Sequence, residues 1–185
     1  VREKIKNQFK NVKADAMISE NTQKNIRNIY TFEEELGEKL AQDEKDFEKM
    51  ADEVIKFESY KVHKVDEIII AHGIVAGAAK VAVDELQSQG SPSAIAQGKK
   101  VGLFRPITLS PFPKDELNKL AKSVKKIFIV ESSMGQLRDL VKQNLSIDSE
   151  RLKQIDGLYK PAEGIESEEI VKLSRHGGTP PNGGG

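Results

Sequence analysis

Apolar positions in this chain change their period near residue 60. From Gln23 to about Phe57 they return at helical spacing. Ile26, Ile29, Tyr30, Leu36, Leu40, Phe47, Met50, Val54 and Ile55 mark one face, and Glu and Lys crowd the other. Thr31 followed by Glu34 has the form of a capping box, so a second helix is expected to start there, with Gly37 weakening it. Before that, Ile5, Phe9 and Val12 predict a short amphipathic helix.

Beyond residue 60 short apolar runs alternate with amphipathic stretches. Val65 to Ala71 predicts a strand ending at His72-Gly73, and Val75 to Gln87 a helix that opens on small residues. Lys100 to Phe104 predicts a second strand, closed by Arg105-Pro106 because proline fixes φ and restricts its neighbour. Lys114 to Ser123 places Leu117, Leu120 and Ala121 on one helical face. Lys126 to Val130 is an unbroken β-branched and aromatic run, as expected of a parallel strand covered on both faces. Ser132-Ser133 offers an N-cap for a helix that opens at Met134–Leu137 and continues to Leu145. Asp148 or Ser149 could cap a turn, and Gln154 to Pro161 reads as an edge strand or turn. Glu166 to Leu173 predicts a last short helix. Residues 88–98 form a Ser/Gly/Pro loop with the length of an insertion, and residues 174–185 are expected to be a disordered tail.

Composition narrows the function classes. The net charge of the 185 residues is zero, with both signs mixed, which argues against nucleic acid or a membrane surface as partner. No apolar run approaches a membrane span and no signal segment opens the chain, so a cytoplasmic protein is expected. There is no cysteine, hence no disulfide, no thiolate zinc site and no thiolate-held iron–sulfur cluster on this chain.

Two turns are candidate ligand sites. One is Gly73-Ile74 and the other is Ser132-Ser133 with Gly135; each lies between a strand and a helix start, where backbone amides can meet an anion. In a doubly wound sheet such loops line the usual crevice. The first turn also reads simply as a tight connection with small residues for packing. Glu131 and Arg105, the latter beside Pro106, could pair across the crevice, or could equally form an ordinary strand-end ion pair. His63, His72 and His176 show no metal-ligand spacing, and no nucleophile elbow, Walker loop or HExxH is present, so neither a catalytic nor a metal-binding residue is assigned.

The string Val101-Gly102-Leu103-Phe104-Arg105-Pro106-Ile107-Thr108, followed by Pro111-Phe112-Pro113, resembles the alpha subunits of 2-oxoacid:ferredoxin oxidoreductases. Asp66 to Ala76, Ala79-Lys80, Ala82 to Leu86, and Ile127–Glu131 leading into Met134–Leu137 continue the likeness over roughly residues 58–142. The resemblance implies a second alpha-chain domain. Its fold would be a three-layer α/β/α unit like the C-terminal domain of transketolase, with a mostly parallel sheet of about five strands over residues 61–173. Amphipathic helices would precede it as a linker or interface segment over residues 1–60, ending in a Glu-x-Tyr string like Glu58-Ser59-Tyr60.

It further implies a complex that converts a 2-oxoacid, coenzyme A and oxidised ferredoxin into acyl-coenzyme A, carbon dioxide and reduced ferredoxin. Thiamine diphosphate, magnesium and iron–sulfur clusters would be held elsewhere, on beta and gamma/delta-type subunits and the first alpha domain, and none on this chain. The chain alone is then expected to be inactive and to serve assembly through Arg105, Pro106 and Glu131 among others. Two readings compete. One is a stand-alone α/β domain that holds a phosphate-containing ligand at its glycine turns. The other is a protein that self-associates through its N-terminal helices.

Overall fold

The computed structural model describes residues 32–88 and 100–176, and the chain divides into two compact units, Val1–Lys49 and Met50–Gly185. The short helix expected around Ile5, the beginning of the helical stretch from Gln23 with Ile26, Ile29 and Tyr30, the Thr31 cap, the 88–98 insertion apart from Ser88, and the tail from residue 177 lie outside the described residues.

Within the described residues the helical period is realised as α1, Glu33–Val54, which begins on three glutamates and runs through Gly37. Acidic residues in a first turn suit the positive end of the helix dipole. No residue of α1 is buried. The helix stops three residues before Phe57, where the expected pattern ended.

The second unit holds β1 (Phe57–Tyr60), β2 (Glu67–Ile70), α2 (Val75–Ser88), β3 (Val101–Pro106), α3 (Lys114–Ser123), β4 (Lys126–Glu131), α4 (Gln136–Asn144), α5 (Ser149–Lys153), β5 (Asp156–Tyr159) and α6 (Ser167–His176). The five strands form one sheet in the order β1-β3-β2-β4-β5. All its pairings are parallel except β1 with β3, which is antiparallel.

The alternation of side chains along a strand explains the unbroken apolar runs. In β4, Phe128 and Val130 face one layer while Ile127 and Ile129 face the other; in β2, Ile69 is set against Ile68 and Ile70 in the same way. The first layer is filled by α2 and α6 through Ala79, Val83, Ile170 and Val171. The second is filled by α3 and α4 through Leu117, Ala121, Leu137 and Val141. Fully burying one such large apolar side chain contributes about 1.5–3 kcal/mol. The small residues that open α2 do packing work, since Ala76, Ala79 and Ala82 are fully buried.

Three local expectations are corrected. Glu58-Ser59-Tyr60, assigned to the helical linker, is the edge strand β1; its Phe57 ring stacks on Phe104 at 5.7 Å. β3 does not stop before Arg105-Pro106 but includes both, with Pro106 opposite Phe57. Proline is tolerated there because it ends the strand. Ser174, placed in the disordered tail, is in α6, only 2 % exposed, and its hydroxyl donates to Glu67 at 3.0 Å.

Asp148 does cap a turn of helix, α5, accepting from the Arg151 amide at 2.9 Å. β5 lies at the sheet edge, as its Gly and flanking Pro require.

Its Tyr159 ring carries the Arg138 guanidinium 5.2 Å from its centre. Burial pushes the Tyr159 phenol up to about 12, against the opposing pull of Arg138. A phenol that ionises at its ordinary value near 10 when unfolded then keeps its proton longer in the native state. Its contribution is whole below about pH 10 and is lost as pH rises through about 12. A falling denaturation midpoint across that window is expected, with a shallower fall in Tyr159→Phe. Equal slopes in the two proteins would contradict this.

Candidate functional site

The connections β2–α2–β3 and β4–α4–β5 run to opposite sides of the sheet, and β2 and β4 are neighbours. Their carboxyl ends therefore flank the point where the winding reverses, which is where α/β sheets place a crevice. Both predicted turns, Gly73-Ile74 after β2 and Ser132 to Gly135 after β4, sit at this edge.

At the β4 turn the anion position is filled from within. Glu131, 1 % exposed, ends β4 and turns its carboxylate onto the start of α4. It accepts the Leu137 amide at 2.9 Å, the Arg138 amide at 3.0 Å and the Ser133 hydroxyl. Helix amides that have no partner within the helix are thus satisfied by a carboxylate of the same chain, with the helix dipole assisting.

Ser132 and Ser133 are therefore not the N-cap. Gly135 holds that position with φ of 102°, a left-handed conformation that suits glycine. Ser132 instead donates to the Glu163 carbonyl at 2.6 Å and ties the turn to the segment after β5. The Met134 side chain is 76 % exposed.

At the β2 turn, Gly73 has φ of 59° and open space where a Cβ would stand. Its glycine answers to the backbone conformation and not to close packing, so the packing half of the expectation fails at this position. Ile74 is 93 % exposed, and His72 is half-buried. The first turn of α2 contains no acidic residue, unlike α4, whose start is served by Glu131.

Arg105 and Glu131 are not brought together. Glu58 stands opposite Arg105 in the β1–β3 register and takes its Nη1 at 3.4 Å. Glu58 also takes Lys80 Nζ from α2 at 2.5 Å. The Lys80 ammonium bonded to it, aided by Arg105, holds the Glu58 carboxyl below its usual range, against the opposing effect of desolvation. The Arg105 Nε is buried and makes no hydrogen bond among the described residues.

Sequence reasoning did not find the cluster beside this pair. Tyr60 donates to Asp84 at 2.8 Å, and Lys61 reaches the same Asp84 oxygen at 2.6 Å. Those two bonds, Lys61 first, lower the Asp84 carboxyl. Tyr60 belonged to the supposed linker, so only the pairing of β1 with β3 could have revealed this contact. The whole cluster locks β1 and α2 onto the sheet; every cation in it is paired with an acid. Among the described residues there is no group of three or more His, Cys, Asp or Glu side chains able to hold a metal ion. No helix among them is long and apolar enough to cross a membrane.

The fold matches that of a 2-oxoglutarate:ferredoxin oxidoreductase from Magnetococcus marinus with a TM-score of 0.63. The match covers 86% of this chain and 25% of that one, at 19% sequence identity. Ketoisovalerate oxidoreductase subunit VorB of Methanothermobacter marburgensis is 40% identical over 88 residues, which is 48% of this chain and 23% of the relative. Pyruvate synthase subunit PorA of Methanocaldococcus jannaschii is 30% identical over 115 residues, 62% of this chain and 22% of the relative. The chain thus spans less than a quarter of the length of these curated relatives. The family model of the pyruvate:ferredoxin oxidoreductase core domain II matches residues 65–163, from two residues before β2 to the segment after β5. More than half of the chain lies in that match, and the chain belongs to the pyruvate:ferredoxin oxidoreductase core domain II family.

Proposed function

We propose that this chain is a non-catalytic component of a 2-oxoacid:ferredoxin oxidoreductase, serving assembly around a site built by other subunits or domains. The observation that carries the reading is the match of the family model to residues 65–163, in a chain equivalent to under a quarter of its relatives. The reaction of the assembled complex would be 2-oxoacid, coenzyme A and oxidised ferredoxin to acyl-coenzyme A, carbon dioxide and reduced ferredoxin. The beta and gamma/delta-type subunits are its partners in this reading.

The residues present do not fit thiamine diphosphate or its magnesium. Of the two helix starts at the crevice, that of α4 is taken by the Glu131 carboxylate, which would repel a phosphate, and that of α2 brings no cationic side chain in its first turn to hold a diphosphate; among the described residues no group of three or more His, Cys, Asp or Glu could hold the magnesium. An iron–sulfur cluster would need thiolates that the sequence lacks. No step of the reaction is therefore assigned to a residue of this chain. Glu131, Arg105 and Pro106 act as framework: Glu131 fixes the β4–α4 turn, and Arg105 and Pro106 hold β1 on β3.

The filled turn counts against the Ser132, Ser133 and Gly135 half of the stand-alone reading, in which a phosphate-containing ligand binds at the glycine turns; the Gly73-Ile74 half is not opposed by any acid in the first turn of α2. The test is reconstitution. The chain by itself should give no 2-oxoacid-dependent reduction of ferredoxin, and adding the remaining subunits or domains should restore turnover that is absent without it. Turnover by the chain alone, or a reconstituted complex equally active without it, would overturn the proposal.

A further inference from the structure

We infer that the exposed face of α1 is a docking seam for a basic amphipathic helix of another part of the oxidoreductase. This rests on the component reading above and adds the kind of partner and the surface that meets it. Leu36, Leu40, Phe47 and Met50 lie along α1 at intervals of four, seven and three residues, and Asp43 falls in the gap. The spacing from 36 to 50 is then four, three, four, three. This is the heptad alternation by which one helix seats against another.

The four apolar side chains are 40 %, 58 %, 42 % and 45 % exposed, in chain order. From Leu36 to Met50 the seam rises about 21 Å, or two heptads, along the 22-residue helix.

Charge selects the occupant. The helix carries ten acidic residues against three lysines, a net charge of −7, in a chain whose total is zero. The positions that flank the seam include Glu44, Asp46 and Glu53 against a single Lys39. Flanking charges decide which helix pairs with which. A second copy would lay another helix of −7 alongside the first and is disfavoured. A helix with Lys or Arg beside its apolar stripe is complementary. Asp43, bonded to Lys39 on its own helix, interrupts the seam with a carboxylate. A single polar residue in a seam sets its register, so the partner would present a basic or amide side chain opposite.

The experiment uses the full chain and two synthetic helical peptides with the same leucine seam. One carries Lys at the flanking positions and the other Glu. Binding is read by fluorescence anisotropy, with helicity followed by circular dichroism. The Lys peptide should bind at least about tenfold tighter than the Glu peptide, a difference of one decade in Kd, and should weaken with salt. Leu40→Glu with Phe47→Glu should abolish binding. A triple charge reversal, Glu44→Lys, Asp46→Lys and Glu53→Lys, should turn the preference toward the Glu peptide.

Equal binding of both peptides, binding of neither, or unchanged preference after charge reversal would overturn the inference. So would self-association of the chain through the seam, or binding that appears only when residues 1–31 are removed, since the occupant would then be a second copy or the chain itself. A seam variant that still enters a complete, active complex would sink this inference alone. Failure of the wild-type chain to join any such complex would sink the component reading.

Discussion

Replacing Glu131 by alanine is expected to lower the global stability of the α/β unit by about 2–4 kcal/mol, read from urea denaturation of the full chain. The side chain is 1 % exposed and accepts two helix amides and one hydroxyl. Truncation leaves those donors without a partner where water cannot readily reach them. An orphaned buried donor costs about 1–3 kcal/mol, and loss of a charged cap at a helix start about 1 kcal/mol. The terms overlap, so they do not simply add.

Glu131→Gln separates charge from shape. It keeps an acceptor oxygen but can serve fewer of the three donors, and its amide group brings donors of its own. An intermediate loss is expected. If alanine at this position cost less than about 0.5 kcal/mol, the carboxylate would not be what secures the β4–α4 turn.

Gly157→Ala should be nearly as damaging, at about 2–3 kcal/mol, because an added methyl group in a packed position must displace its neighbours. A Cβ built on Gly157 would stand 2.4 Å from the Ile129 carbonyl oxygen and 2.3 Å from the Tyr159 hydroxyl. The tyrosine could swing aside. The carbonyl belongs to the backbone of β4, with Ile129 directly opposite Gly157 in the β4–β5 register, and cannot move without disturbing that pairing. The expected result is a lower denaturation midpoint and weakened protection of β5 amides against hydrogen exchange. Gly164→Ala is the control: it meets nothing within 4 Å and should stay within about 0.5 kcal/mol. Similar losses at both sites would mean that glycine at position 157 is not required by close approach.

Much of this architecture is legible without the structure, because its signals are local. Leu117 and Ala121 at helical spacing mark α3 to the residue, and the run Lys126 to Val130 announces a strand covered on both faces. What escaped reading depends on contacts distant in sequence. β1 is only four residues long, follows directly on a helical pattern and earns its place by pairing with β3 some 47 residues away. The same pairing gives Arg105 its partner, Glu58, which no spacing rule could supply.

At the candidate site, two serines before a helix satisfy the local capping rule, yet the cap is supplied by Glu131, which reaches over both of them. A buried acid that ends a strand and precedes a helix by a few residues is a readable sign of this device. The sequence pattern alone suggests half of an ion pair with Arg105 in its place.

In the proposed reading the chain works as one part of a larger oxidoreductase, with no reaction of its own. The most direct test is to purify the protein with its native partners from its source cells and identify those partners by mass spectrometry. A thiamine-diphosphate subunit and a cysteine-rich ferredoxin-like subunit are expected in stoichiometric amounts, with 2-oxoacid-dependent ferredoxin reduction in the same fraction. The protein recovered without either partner, with neither partner in the cell extract able to bind it, would contradict that reading.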